Sequence, residues 1–299
     1  MTNSLQLHKK RNTISRRKLI EAYVFVTPAV FFVFAILGYG VFSGIIMSLF
    51  NVDLRYDEAP FVWLDNYRML FSDTHFQNSF MRTIVFVLGA VGLGFILALL
   101  FSLSIFKCKD RSSHLFKGIT LVPFLVSGIA TAVIFRFLFG GTAGVVNNII
   151  VSLGFERVQF LARPELAMTI VILARVWTIF PLATLLLHAG LLSIDPDLFD
   201  AAKVDGAPAV YVFFRIIIPL ISPMIGVSLM WLSFASFNVF DINLALTGGG
   251  PSRATEVLAV YMYNIGFQQL RYSLGASVMV IILTLNVVVS MSLLRLFKR

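Results

Sequence analysis

Six uninterrupted apolar stretches restrict what this chain can fold into. They run over residues 23–49, 83–106, 118–139, 166–192, 223–246 and 274–296. An α-helix needs roughly 20 apolar residues to cross a bilayer's hydrocarbon core. Inside that core each backbone N–H and C=O must be satisfied within the protein, which leaves helices as the natural spanning element. Charged residues make up 13% of the chain, against roughly 25% in soluble domains. The expected fold class is therefore all-α: a polytopic membrane protein with six transmembrane helices. One membrane domain over residues 21–296 holds all six, between a basic N-terminus (1–20) and a short C-terminal tail (297–299).

The first apolar stretch follows Lys9, Lys10, Arg11, Arg16, Arg17 and Lys18. It is too long for a signal-peptide core, so an uncleaved first span is expected. The net charge of +9 sits in short loops, as orientation charge should, and does not point to nucleic acid. With six spans, fifteen Lys/Arg fall in segments on the N-terminal side and seven on the other. Cytoplasmic loops carry the excess of basic residues, so both termini are expected in the cytoplasm of a multi-pass protein surrounded by membrane lipid. The single cysteine, Cys108, excludes an intramolecular disulfide and reads as a surface thiol between Lys107 and Lys109.

Between the fourth and fifth stretches lies a polar interruption, residues 195–223. Asp195 suits a helix cap and Pro196 a first helical position, where a missing N–H costs nothing. A short helix through Val204 is expected, ended by Gly206 in the left-handed conformation. Val210, Phe213, Phe214 and Ile217 recur at helical spacing, which predicts a second short helix with one apolar face. Residues 195–218 thus form a helix–turn–helix hairpin lying against the membrane surface, and Pro219 and Pro223 punctuate the return to the next span.

Catalytic signatures are missing from the sequence. No phosphate loop of the form G-x-x-x-x-G-K-[ST] occurs, and Gly248–Gly250 lack the following Lys-Ser/Thr. His8, His75, His114 and His188 are scattered, with no metal-ligand spacing. A non-catalytic chain without a bound metal is expected.

The segment Asp200-Ala-Ala-Lys-Val-Asp-Gly-Ala, with Pro219, Leu220 and Pro223 downstream, resembles the "EAA" coupling loop of ABC-importer permeases. Leu246-Thr-Gly-Gly-Gly-Pro251 resembles the "LTxGGP" turn of their carbohydrate branch, which includes MalF- and UgpA-type subunits. Leu64-Asp-Asn-Tyr67 resembles the branch's "GLxNY" stretch, with Trp63 in place of Gly. Asp200 stands where Glu is usual, one methylene shorter. The resemblance covers residues 19–296. It implies the type I importer permease (MetI-like) fold, with Asp200, Ala201, Ala202, Asp205, Gly206, Ala207, Pro219 and Pro223 contacting a separate ATPase. ATP and magnesium then belong to that ATPase and no cofactor to this chain. The implied partners are a second homologous permease, an ATP-binding cassette ATPase dimer and an extracytoplasmic solute-binding protein. The implied location is a bacterial-type cytoplasmic (inner) membrane.

Arg175 stands out in the fourth span, about 9 residues or roughly 14 Å from its outer boundary. A charge near the midplane costs roughly 2.5–3.5 kcal/mol on insertion scales, so it needs a partner or a wet path. It either contacts an anionic or hydroxyl-rich substrate, or forms a buried structural pair with Asp241 or with an acid on a partner subunit. Arg136, near the end of its span, reads as a snorkelling anchor. In the carbohydrate branch the fourth and fifth spans contact sugar. The resemblance therefore extends the substrate path to Trp177, Thr178, Phe180, Ser233, Phe234, Phe237 and Asn238, where aromatics stack on rings and polar groups bond hydroxyls. An aromatic in an apolar span equally serves as packing. The expected function is import of a carbohydrate, an acidic one if Arg175 faces the path. Import of another solute such as glycerol phosphate, and an ion-coupled secondary transporter, are the alternatives. The last would need intramembrane carboxylates, which the spans almost lack.

Overall fold

The computed structural model describes residues 16–53, 59–108 and 110–297, with side chains from residue 23 onward except 110–114. The expected orientation charges Lys9, Lys10, Arg11, Arg55, Lys109, Lys298 and Arg299 lie outside the described residues. The chain divides into two compact units, Met1–Ile46 and Met47–Arg299.

In the first, helix α1 (Arg16–Val33) passes through a π-helical turn (Phe34–Gly38) into α2 (Tyr39–Met47). Its side chains Phe25, Phe31 and Phe34 are exposed, as suits an apolar helix whose solvent is lipid.

The second unit begins with α3 (Asp65–Ser72), the short helix expected around residues 66–71, and continues with α4 (Thr74–Lys107), α5 (Asp110–Leu125), α6 (Gly128–Phe139), α7 (Val145–Ser152) and α8 (Pro164–Leu192). Then come α9 (Pro196–Val204), α10 (Ala209–Val212), a π-helical turn (Phe213–Ile217), α11 (Ile218–Leu220), α12 (Ser222–Phe237) and α13 (Asp241–Thr247). The last elements are α14 (Leu258–Tyr263), a third π-helical turn (Asn264–Gln268) and α15 (Tyr272–Phe297). Among the described residues extended pairing is limited to one bridge, Phe50 with Phe61.

Helix α8 is the hub. It packs against α4, α12, α5, α13 and α6, and it carries apolar residues on most faces because most of them are covered. Asn66 ties the start of the unit together, donating to the carbonyls of Ser48 and Phe50 at 2.8 and 2.7 Å. That is the work of the Asn in the Leu64–Tyr67 stretch, while the Tyr67 hydroxyl meets Ser48 Oγ at 2.8 Å.

Two expected spans are not straight. Among the described residues four helices are long and apolar enough to cross a membrane, and the number reaches six only if two bent pairs each count as one. The third apolar stretch, expected as one helix over 118–139, is α5 and α6, meeting at 95°. Pro123 lacks the N–H that would continue α5's last turn, and Ser127 starts a new helix by accepting from the Ala130 N–H at 3.3 Å. The fifth, expected over 223–246, is preceded by a 72° bend into α12 and stops at Phe237. There the Asn238 side chain donates to the Phe234 carbonyl at 2.8 Å, sharing that acceptor with its own backbone N–H at 3.3 Å.

Lipid tails are as apolar as leucine, so helices in a membrane are held by close packing more than by water exclusion. Two glycines make that packing possible. A Cβ on Gly190 of α8 would lie 2.9 Å from Cβ of Met224 on α12, and one on Gly226 would lie 2.7 Å from Cβ of Phe297 on α15. Gly92 has open space. We expect Gly190→Val to destabilise the protein by about 1–3 kcal/mol through overpacking. Gly92→Ala should not destabilise it. Thermal unfolding in detergent checks both.

Candidate functional site

The chain's hairpin is built as its residues dictate. Asp195 accepts from the Asp197 N–H at 3.0 Å, capping α9 behind Pro196. The far end closes with the N–H of Gly206 on the Lys203 carbonyl (3.1 Å) and that of Ala207 on the Ala202 carbonyl (2.9 Å). This double closure requires a left-handed residue, and Gly206 has φ +67. Ala202 is buried, Ala207 is half-buried, and Asp200, Ala201, Asp205, Gly206, Pro219 and Pro223 are exposed. Asp200 pairs with Lys203 at 2.7 Å on the open surface, where such a pair contributes little.

The apolar face expected over Val210, Phe213, Phe214 and Ile217 is split. Ile217 is buried and Phe213 half-buried, whereas Val210 and Phe214 are 68% and 62% exposed. The second helix runs α-helically for one turn only and then widens at Phe213–Ile217. A π-turn shifts the register by one residue, so i and i+4 no longer share a face. The hairpin joins α8 firmly: Ser193 Oγ donates to the Gly190 carbonyl at 2.7 Å, and Ile194 and Ile221 are buried.

Above the hairpin, the break between α12 and α13 gathers the membrane-embedded charges. Arg175 donates through Nη2 to the Ala235 carbonyl in the last turn of α12. A cation suits that end of a helix, where carbonyls lack intrahelical partners. Asp241 lies close enough to attract Arg175 without a direct ion pair. Its carboxylate instead rests on the first turn of α6, where a Cβ on Gly128 would fall inside it. A hydrogen bond to a charged group is worth about 1.5–3 kcal/mol, comparable to the insertion cost of an arginine. The Ala235 contact therefore offsets most of that cost. Arg175 Nε has no protein partner. Arg136 is more than a snorkelling anchor: Nη2 and Nε donate to the Leu246 carbonyl at 2.9 and 3.3 Å, capping α13.

The other path candidates are dispersed around these helices. Thr178 bonds its own Arg175 carbonyl at 2.8 Å. Phe180 packs edge-on against Phe101 of α4 with centroids 5.2 Å apart, and Trp177 lies 6.0 Å from Phe135 of α6. Ser233 and Phe237 are buried, while Phe234 and Asn238 are exposed. Arg175 and Trp177, both half-buried, and exposed Phe234 and Asn238 therefore remain reachable.

The turn after α13 contains a residue that sequence reasoning missed. Gly248 and Gly249 take φ +63 and +86. Thr255 bonds the Gly250 carbonyl at 2.8 Å and meets the Thr247 hydroxyl at 2.6 Å. Glu256, 2% exposed, accepts from Arg253 Nε (2.6 Å), Asn264 (2.8 Å) and Ser79 of α4 (3.3 Å). The only sequence signal was an acid three residues after Arg253. Nearby, burial raises the Asp73 carboxyl, but hydrogen bonds from the Tyr261 hydroxyl and the His75 N–H outweigh it and hold it below its ordinary value. The turn is thus fastened to the start of α4. Among the described residues no group of three or more His, Cys, Asp or Glu could hold a metal ion.

These features define a helical membrane protein with broken, charge-capped helices and one compact polar hairpin. The chain belongs to the family described as binding-protein-dependent transport system inner membrane component, which it matches over residues 76–299. It is 34% identical to the trehalose/maltose transport system permease protein MalF of Thermococcus litoralis, over 93% of this chain and 96% of that one. It is 31% identical to the sulfoquinovosyl glycerol transport system permease protein SmoG of Agrobacterium fabrum, over 93% and 90%. It is 33% identical to the sn-glycerol-3-phosphate transport system permease protein UgpA of Yersinia pestis, over 81% of each. Among solved structures, a chain of a bacterial ABC transporter that imports the acidic polysaccharide alginate shares the fold, with TM-score 0.81, 23% identity and coverage of 95% and 96%. The chain is an ABC-importer permease with the MetI-like fold.

If Arg175 serves chiefly as the cap on α12, Arg175→Lys should keep most of the protein's stability. Arg175→Gln should lose about 1.5–3 kcal/mol with the charge-assisted bond. Unfolding of the purified variants in detergent measures the difference.

Proposed function

We propose that this chain is the membrane-embedded, non-catalytic subunit of a carbohydrate importer. Residues 21–296 form the permease domain between a basic N-terminus (1–20) and a short tail (297–299), with both termini in the cytoplasm. Its hairpin, residues 195–218, docks on a separate ATPase, which holds ATP and magnesium. A second homologous permease completes the path, and an extracytoplasmic binding protein delivers the solute.

The observation that carries this reading is the hairpin. It is capped at both ends, anchored by Ala202, Ile194, Ile217 and Ile221, and yet leaves Val204, Val210 and Phe214 exposed beside Asp200 and Asp205. A body fixed on one side and presenting an apolar and acidic surface on the other is suited to transmit a partner's movement. Closure of the ATPase dimer on ATP then moves the hairpin, and α8 and α12, which flank it in sequence, move with it. The path opens outward, the solute enters between α8 and α12, and hydrolysis resets the assembly.

The carbohydrate assignment draws on relatives named as transporters of trehalose/maltose, sulfoquinovosyl glycerol and sn-glycerol 3-phosphate. The last two are anionic. The free Nε–H of Arg175 supports an acidic sugar or a phosphoester as a second reading. Retained uptake of such a solute by a stably inserted Arg175→Gln variant counts against it.

Reconstitution with the co-purifying subunits and binding protein, followed by ATPase assays against neutral and anionic sugars, tests the assignment. Stimulation by one sugar is expected. The absence of any ATPase subunit and of ATP turnover would return the secondary-transporter reading. Proline cannot take the positive φ of Gly206. Gly206→Pro should therefore leave the chain inserted while transport falls and basal ATP hydrolysis continues; normal transport would remove the hairpin from the mechanism.

A further inference from the structure

A groove of about 570 Å³ lies between the end of α4 and the hairpin. Leu103, Phe106, Phe199, Val212 and Phe213 line it, and Lys107 stands at its rim. The rings of Phe106 and Phe199 are 5.9 Å apart. The π-helical turn that begins at Phe213 follows Val212 on the hairpin side.

The groove's position restricts what it can hold. It opens where α4, a 34-residue helix with a long apolar stretch, reaches its last residue, Lys107. This is the boundary between hydrocarbon and polar headgroups. Lys107 is exposed and makes no ion pair with any described residue. The chain continues with Lys109 and Arg111. On the other wall, Lys203 pairs with Asp200 only on the open surface, so a phosphate can compete for it. An apolar slot with an unpaired cation at its mouth matches an amphiphile with an anionic head. Basic pockets of this kind at the ends of membrane helices favour acidic lipid headgroups.

We propose that this groove binds an anionic phospholipid, with an acyl chain between Phe106 and Phe213 and the phosphate at Lys107. The lipid sits in the leaflet that faces the hairpin and goes beyond the transport reading, since it packs α4 against the hairpin whatever the imported solute. It would stiffen the hairpin's footing and make coupling dependent on acidic lipid.

The test uses the full chain with its co-purifying subunits in nanodiscs of phosphatidylcholine and phosphatidylglycerol in equal parts. Lipids that stay bound after delipidation are counted by native mass spectrometry. Wild type should retain phosphatidylglycerol over phosphatidylcholine. Lys107→Gln should reduce that preference about fivefold, the effect of one lysine at a charged surface. Leu103→Trp, which fills the groove, should lose retained lipid of both kinds. Equal retention of the two lipids by wild type, or unchanged preference in Lys107→Gln, would overturn the proposal. So would a Leu103→Trp protein that keeps its lipid but sheds its ATPase subunit, which would make the groove a subunit contact.

Discussion

A helix that ends inside a membrane must find partners for its free carbonyls and N–H groups, because no water is there to supply them. This chain breaks its helices within the apolar stretches and settles several of the ends with a charge, a hydroxyl or a side-chain amide. Arg175 meets the end of α12 at Ala235 and Arg136 meets the end of α13 at Leu246. The Asp241 carboxylate lies on the start of α6 at Gly128. Arg175 and Arg136 thereby find backbone carbonyls, and Asp241 accepts from the Ile242 N–H at 2.9 Å. The costs of the broken helices and of the buried charges are thereby partly offset together. The same arrangement leaves Arg175 Nε beside α8 without a protein partner.

The rest of the bundle follows from close approach. With no large hydrophobic gain from helix association in lipid, α8 and α12 touch through Gly190, and α12 and α15 through Gly226. Gly190 also supplies the carbonyl that Ser193 bonds where α8 gives way to the hairpin. A displacement of the hairpin therefore reaches α8 with little slack. At the opposite end, Glu256 and Thr83 fasten the turn after α13 to α4, with the Leu258 N–H on the Thr83 hydroxyl at 2.8 Å. The two ends of the bundle are thus held by different means: packing and caps near the hairpin, and a buried carboxylate network near the turn.

Local chemistry was legible in the sequence wherever it was strong. Asp195 before Pro196, and Gly206 after Val204, marked both ends of α9 because caps and left-handed glycines act within a few residues. The apolar lengths marked the helical class. The breaks at Ser127 and Asn238 were hidden, since an apolar stretch keeps its composition whether it runs straight or turns by 95°. Pro123 hints at one; Asn238, a candidate solute contact, stays exposed while its amide bonds the last turn of α12. Arg175 needs a partner by the sequence alone, but a backbone carbonyl leaves no mark there; of the alternatives, a direct pair with Asp241 is not formed. Glu256 stayed invisible because its partners at Ser79 and Asn264 are brought together only by folding. The split face of Val210 and Phe214 was hidden by a π-turn, which changes register without changing composition.

The claim on which the account turns is that the hairpin is rigidly joined to α8. Spin labels at Val204 and Leu192, 89% and 62% exposed, report it directly through their distance distribution in the assembled transporter. The account predicts one narrow distribution, unchanged between the nucleotide-free and ATP-trapped states. A distribution that shifts or broadens with nucleotide would show the hairpin flexing on its own, and the lever would be lost.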